Sequence, residues 1–148
     1  MPQFRDDLPA GARTFEAHGQ VQWADVDIAG IIYFVAYWRY AELAEMELFR
    51  AIGFPYEHIF GGDVGFHLPR VHTEATYHAP AVMGDRLRMR LHLTKVGASS
   101  VAWRTVIFNE TSGQVAAALS LTVACMDPRT KRSMPLPPGL RAALLSCI

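Results

Sequence analysis

Two acidic residues, Asp25 and Asp27, lie in a short turn that also contains Gly30. A strongly apolar helical run, Val35 to Ile52, follows at once. The first N–H groups of a helix have no partner within it, and the helix dipole makes that end positive. A carboxylate beside such an end can act as a base or a nucleophile, while the free amides receive developing negative charge. The spacing therefore predicts a catalytic site at the start of the helix.

The composition limits the classes of partner. The chain has 148 residues, is 51% hydrophobic and 19% charged, and balances 14 Lys and Arg against 14 Asp and Glu. No basic block is present, which argues against nucleic acid held by bulk electrostatics. The first residues carry acids rather than an apolar run, and no charge-free stretch approaches membrane-spanning length. We therefore expect a globular cytoplasmic protein with no membrane partner.

Several kinds of site are excluded by missing motifs. Cys125 and Cys147 show no Cys-x-x-Cys spacing, and neither a Gly-x-Ser-x-Gly elbow nor a glycine-rich phosphate loop occurs. His72, Glu74 and His78 would share one face of a strand, but they are spread too widely for a compact ligand set. We expect no metal site and no cofactor.

The pattern along the chain predicts one strand, one buried helix and then four strands. Residues 1–13 form a loose lead-in, and Gly19 interrupts the first strand, which predicts a bulge or a close backbone approach. Short loops favour antiparallel pairing of neighbouring strands. The sequence thus predicts an α+β fold, with an antiparallel sheet wrapped around one long central helix in a single domain covering residues 1–148. The predicted strands are Thr14–Trp23, Phe66–His78, Arg86–Lys95, Val101–Phe108 and Gln114–Met126, with a loop at Phe54–Gly65 and a short terminal helix at Leu140–Leu145.

Two motifs resemble those of a known family. The first runs Asp25-x-Asp27-x-x-Gly30-x-x-Tyr33-Phe34-x-x-Tyr37, continues with Arg39 and Glu42-x-Ala44, and resembles the opening motif of the 4-hydroxybenzoyl-CoA thioesterase branch of the hotdog-fold superfamily. The second, Tyr77-x-x-Pro80-x-x-x-Gly84-Asp85-x-Leu87, is similar to that family's second recurring segment. The resemblance covers roughly Trp23 to Met126.

The resemblance implies an enzyme that hydrolyses an acyl-CoA thioester, with coenzyme A entering only as part of the substrate. It also implies homodimers whose sheets join edge to edge, often stacked into tetramers. The family's catalytic carboxylate falls on Asp27, and its oxyanion donor falls on the backbone N–H of Phe34, with Tyr33 N–H beside it. Many relatives carry histidine at the position of Phe34, so the phenylalanine favours the branch that acts on aromatic acyl groups such as 4-hydroxybenzoyl, with a short or medium acyl group as the alternative.

Each catalytic candidate has a structural alternative. Asp27 is predicted to be the nucleophile or general base, against the alternative that it only caps a turn or the helix. Asp25 is predicted to organise the turn.

The predicted substrate-binding residues are less specific. In the family an acid at the position of Glu42 approaches the ring hydroxyl of the substrate, although Glu42 could equally pair with Arg39. Arginine and lysine suit the phosphates of coenzyme A, although any one of them could simply face solvent. The substrate-binding candidates are Gly30, Tyr37, Glu42, Arg88, Arg90 and Lys95.

Two competing functions stay open at this point. The first is a non-catalytic hotdog module that binds acyl-CoA or an acyl carrier. The second is a hotdog hydratase or dehydratase, which generally needs a histidine paired with an acid, and no such pair occurs near the helix start. A thiol-release assay separates these functions from hydrolysis.

Overall fold

A computed structural model describes residues 9–60 and 63–148 of the chain. The predicted lead-in therefore lies partly outside the described residues, as does a short part of the predicted loop. The elements are β1 (Phe15–Gln20), a 3₁₀ turn (Trp23–Asp25), α1 (Ala36–Ala51), α2 (Tyr56–Ile59), β2 (Arg70–Tyr77), β3 (Arg86–Val96), β4 (Ser100–Asn109), β5 (Gln114–Ala124) and α3 (Pro138–Leu145). No helix in these described ranges is long and apolar enough to cross a lipid bilayer.

The five strands form one antiparallel sheet in the order β1-β3-β4-β5-β2. The predicted α+β architecture is confirmed, and β5 is an interior strand as its apolar sequence indicates. One expectation from the loop lengths is wrong, because β2 pairs with β5 rather than with its chain neighbour β3. The connection between β2 and β3 crosses the end of the sheet, where His78 N–H donates to the Ala116 carbonyl at 2.8 Å.

The helix α1 packs on one face of the sheet. Its apolar positions recur at helical spacing, so that Ala44, Leu48 and Phe49 are fully buried. They meet the inward residues of the central strands, including Met89 and Leu119. Leu43 of the same helix is 37% exposed, whereas Glu45 is buried although it carries a charge.

Gly19 marks a close approach between β1 and α1. The register from β1 to β3 is continuous through Gly19, so the alternative of a bulge is excluded. A Cβ at Gly19 would lie 2.8 Å from the ring of Tyr40. Trp23 does not belong to the first strand as predicted. It opens the 3₁₀ turn and is 84% exposed, because the strand ends at Gln20.

The strand β2 forms one edge of the sheet and is open on both faces. Seven of its eight residues are exposed, and Ala75 is half-buried. The helix α1 lies mainly over β1 and β3, so it leaves the inner face of β2 uncovered. A cleft therefore runs between α1 and β2.

Candidate active site

The turn that carries Asp27 is a small irregular hairpin. Val26 pairs with Ile32 across it, and Asp27 N–H donates to the Ile31 carbonyl at 3.0 Å. Gly30 closes the turn with φ of +76°, a conformation that residues with a side chain rarely adopt. Gly30 thus shapes the turn, and it is not among the residues that line the cavity described below.

One oxygen of Asp27 is used by this turn. Its Oδ1 accepts the N–H of Ala29 at 2.8 Å, which is the turn-capping role considered as the alternative to catalysis. The other oxygen has no hydrogen-bond donor within the described residues, and the side chain is exposed. Capping therefore uses only part of the carboxylate, and Asp27 keeps an oxygen for another partner.

Asp25 has the structural role that the sequence indicated. It is only 2% exposed, and its Oδ2 accepts the N–H of Gln22 at 2.9 Å. The hydroxyl of Tyr40 also donates to this carboxylate, and Arg39 forms an ion pair with it. The predicted alternative pairing of Arg39 with Glu42 is therefore replaced by pairing with Asp25.

The start of α1 provides the amides that the sequence placed beside Asp27. Tyr33 N–H is not free, because it donates to the Asp25 carbonyl at 2.7 Å. This corrects the prediction that Tyr33 offers a second oxyanion donor. Phe34 N–H has no backbone acceptor among the described residues, and the side chain of Phe34 is exposed at the helix start. Phe34 is thus the predicted donor that stays available.

A cavity of about 480 Å³ joins these groups, a size typical of small-molecule sites. The two motifs meet here because Ile32 N–H donates to the Ala81 carbonyl at 2.8 Å and holds the segment after β2 against the helix start. Of the predicted site residues, Asp27, Tyr33, Phe34 and Tyr37 line the cavity. The remaining lining residues are Ile31, Ile32, Tyr77, His78, Ala79 and Pro80.

Tyr37 forms part of the cavity wall with Tyr77, and their ring centroids lie 5.4 Å apart. Burial, with a smaller contribution from Tyr77, raises the pKa of Tyr37 to about 12. The Tyr37 phenol therefore stays neutral at physiological pH and can only donate or accept a hydrogen bond there.

A second cavity of about 240 Å³ lies farther along the cleft and holds Glu42. Its wall includes Glu45 and Arg70, which form an ion pair at 2.5 Å, and Tyr56 OH donates to the same Glu45 oxygen at 2.8 Å. Burial raises the pKa of Glu45, and Arg70 and Tyr56 lower it by less. Sequence reasoning missed this cluster, although a charged residue between Ala41 and Leu48 in the apolar stripe was a usable signal.

The predicted phosphate-binding residues lie elsewhere. Arg90 pairs with Glu16 at 2.9 Å, and Arg88 lies 3.7 Å from Glu110, both on the sheet face that points away from α1. Lys95 is exposed on β3. None of the three lines either cavity, so their role toward coenzyme A stays a prediction.

Metal-ligating side chains do not come together in the described part of the chain. No group of three His, Cys, Asp or Glu residues there is close enough to hold an ion. His78 lies in the cavity wall, while His72 Nε2 lies 3.7 Å from a carboxylate oxygen of Glu74.

Comparison with known proteins assigns the chain to a family and agrees with its fold. Residues 21–144 match the family model described as the thioesterase-like superfamily. The 1,4-dihydroxy-2-naphthoyl-CoA hydrolase of Synechocystis is 30% identical over 132 residues, which are 88% of this chain and 94% of that protein. The acyl-CoA thioester hydrolase YbgC of Escherichia coli is 26% identical over 123 residues, which are 83% of this chain and 90% of that protein.

Solved structures of thioesterases agree with the family match and have the same fold. The crystal structure of a 1,4-dihydroxy-2-naphthoyl-CoA thioesterase from Synechocystis matches with a TM-score of 0.80 and 29% identity, and the match covers 90% of this chain and 96% of that one. The protein is therefore of the hotdog-fold class, with a sheet wrapped around one helix and a carboxylate at the helix start. The chain belongs to the thioesterase-like superfamily. The interpretation of the sequence as an acyl-CoA thioesterase is confirmed at the level of the family.

Proposed function

We propose that this protein hydrolyses acyl-CoA thioesters with Asp27 as nucleophile or general base and the Phe34 amide as oxyanion donor. The observation that carries the proposal is that Asp27 and Phe34 line one cavity. Within the described residues, one Asp27 oxygen has no hydrogen-bond donor and the Phe34 N–H has no backbone acceptor. A thioester carbonyl between them would have a base or nucleophile on one side and a donor on the other. An amide donor of this kind typically stabilises the transition state by about 3 kcal/mol.

Two routes fit this arrangement. In the first, Asp27 takes a proton from water, the resulting hydroxide attacks the carbonyl carbon, and the thiolate of coenzyme A leaves with that proton. In the second, Asp27 itself attacks and forms a mixed anhydride, which water then hydrolyses. In a single turnover in ¹⁸O-labelled water, label that appears in the Asp27 carboxylate would support the anhydride route, because general-base catalysis leaves that carboxylate unlabelled. Neither route requires a cofactor.

The second cavity supports an aromatic, hydroxylated acyl group, similar to 4-hydroxybenzoyl. Trp38 and Leu121 form apolar walls, and Glu42 supplies a carboxylate that can accept a hydrogen bond from a hydroxyl. Glu42 lies eight residues beyond Phe34, roughly 12 Å along the helix axis, in the same cleft. The named activity of the Synechocystis hydrolase, on a dihydroxylated naphthoyl thioester, points to the same class of acyl group.

A second copy of the chain completes the cleft in this proposal. The edge strand β2 is exposed on both faces, and its last residue, Tyr77, lines the cavity that holds Asp27. An unpaired strand edge offers a row of backbone donors and acceptors to another strand. Pairing of β2 with the same strand of a partner would give a homodimer, which sedimentation equilibrium would detect.

The test is thiol release across a panel of benzoyl, hydroxybenzoyl, phenylacetyl and straight-chain CoA thioesters. We expect turnover of hydroxylated aromatic thioesters, and a loss of roughly 100-fold or more in kcat for Asp27→Asn, with KM little changed. Glu42→Gln should lower kcat/KM for hydroxybenzoyl-CoA more than for benzoyl-CoA. Saturable binding without thiol release would favour the non-catalytic binding module, and parent-rate hydrolysis by Asp27→Asn would remove Asp27 from the chemistry.

A further inference from the structure

The carboxylate of Asp25 takes no part in the proposed chemistry, although Asp25 lies only two residues before Asp27 in the sequence. Asp25 is among the most buried charged residues described, and it lines neither of the two cavities. It is therefore placed where it cannot touch a substrate in either cavity. A buried carboxylate is costly unless its oxygens are satisfied, so its partners must account for its presence.

Its side-chain partners join the turn to α1. Tyr40 and Arg39, both in the first half of α1, bind the Asp25 carboxylate from the helix side. The Tyr40 hydroxyl also lies 2.8 Å from the Gln20 carbonyl at the end of β1. One phenol thus connects the helix with the strand before the turn and with the turn itself.

The main chain of Asp25 connects to the other arm of the same turn. Its carbonyl accepts Tyr33 N–H at 2.7 Å, and Tyr33 directly precedes the proposed donor Phe34. Asp27 stands on one arm and Phe34 on the other, and Asp25 holds both arms against α1. Catalysis depends on the relative position of such groups to within about an ångström.

We propose that Asp25, held by Tyr40 and Arg39, is a positioning residue that sets the distance between the Asp27 carboxylate and the Phe34 amide. The Tyr40 ring is fixed in turn, because it lies so close to Gly19 that a Cβ there would come within 2.8 Å of it. The Tyr40 side chain therefore contacts β1 with its ring and the turn with its hydroxyl, so it fixes the turn relative to β1. The inference rests on the function proposed above for Asp27.

The test uses Tyr40→Phe, which removes the hydroxyl and keeps the ring against Gly19. We expect kcat to fall on the order of tenfold to a hundredfold, as for a small misplacement of reacting groups, with KM within about twofold of the parent. Asp25→Asn keeps the shape but loses the charge that binds Arg39, and kcat should fall in the same direction. The double variant should lose little more than the more damaging single change, because both act through one contact. Thermal midpoints, measured in parallel, establish that each variant is folded at the assay temperature.

Asp127→Asn is the matched control. Asp127 also organises a turn, accepting the N–H of Arg129 at 2.8 Å, but it is far along the chain and has no tyrosine from α1 bound to it in the described structure. The kcat of the Asp127→Asn variant should equal that of the parent.

The outcomes separate this inference from the proposed function. If Asp27→Asn abolishes turnover while folded Tyr40→Phe and Asp25→Asn keep parental kcat, the positioning role is wrong and the function of Asp27 stands. If Asp27→Asn retains the parent rate, the proposed function fails first. A loss of kcat in Asp25→Asn alone, without one in Tyr40→Phe, would contradict action through the Tyr40 hydroxyl.

Discussion

Two buried carboxylates, Asp25 before α1 and Glu45 within it, have the same kinds of partner but different tasks. Asp25 binds Arg39 and Tyr40, and we call these three residues the Asp25 cluster. Glu45 binds Arg70 and Tyr56, which form with it the Glu45 cluster. Each contains one acid, one arginine and one tyrosine. Because the partners are alike, the difference in task must come from the elements that surround each acid.

The Asp25 cluster holds the backbone of a turn in place, whereas the Glu45 cluster connects the helix α1 to the strand β2. The Asp25 side chain accepts a main-chain N–H, and its carbonyl accepts another, so the cluster shapes the turn that holds Asp27. Glu45 instead joins the middle of α1 to Arg70 at the first position of the edge strand β2, and borders the second cavity. A short acid next to a turn reaches backbone donors, while a longer one inside the helix–sheet layer reaches side chains of distant elements.

The largest expected effect is on stability, through removal of the arginine from the Glu45 cluster. Arg70→Met leaves Glu45 buried without its cation, and we expect a loss of about 3 to 5 kcal/mol in the free energy of unfolding. Arg39→Met should cost less, on the order of 1 kcal/mol, because Arg39 is 60% exposed and Arg70 is 34% exposed. Urea unfolding at pH 7 measures both.

The double variant Glu45→Gln/Arg70→Met sharpens this test. It removes the charge along with its partner and should recover a large part of the lost stability. A greater loss for Arg39→Met than for Arg70→Met would reverse the proposed ranking of the two clusters.

An intermediate effect is expected where the Asp25 cluster meets β1. Gly19→Ala places a methyl group against the ring of Tyr40, which cannot move aside without giving up its hydrogen bonds. We expect about 1 to 3 kcal/mol of destabilisation, measured by urea unfolding. Gly139→Ala is the control, since its Cβ would meet Phe54 at an ordinary 3.8 Å on the helix α3, where alanine is the better helix former. Equal midpoints for Gly19→Ala and the parent would mean that the contact is loose.

The smallest effect is a dependence of stability on pH within the Glu45 cluster. Burial raises the pKa of Glu45 in the folded protein above its value in the unfolded chain, so its protonated form favours folding. The stability contributed by that form is fully present below the unfolded pKa of about 4.3 and is lost as pH rises through the raised folded pKa. We therefore expect the free energy of unfolding of Glu45→Gln, relative to that of the parent, to increase as the pH is raised from 4 to 8. A difference that stays constant with pH would contradict this direction.

The sequence alone determined the features that depend on short spacing. Alternating residues predicted β3 and β4 nearly to their ends, and the apolar helical run from Val35 to Ile52 predicted α1. Asp27, Gly30 and Phe34 lie within eight residues, so their nearness needs only one turn and the first residues of a helix. That is why the start of the site could be predicted from one motif.

Contacts between distant segments were decided by the tertiary structure. Glu45 and Arg70 are 25 residues apart, and nothing in the local pattern pairs them. Likewise, β2 pairs with β5 rather than with its chain neighbour, and the end of β2 and the residue after it place Tyr77 and His78 in the same cavity as Asp27. Tyr33 N–H was lost as a donor for a related reason, since the carbonyl that takes it belongs to the opposite arm of the hairpin. Spacing sets which groups can be neighbours along the chain, whereas packing of the helix on the sheet sets which of them are already satisfied.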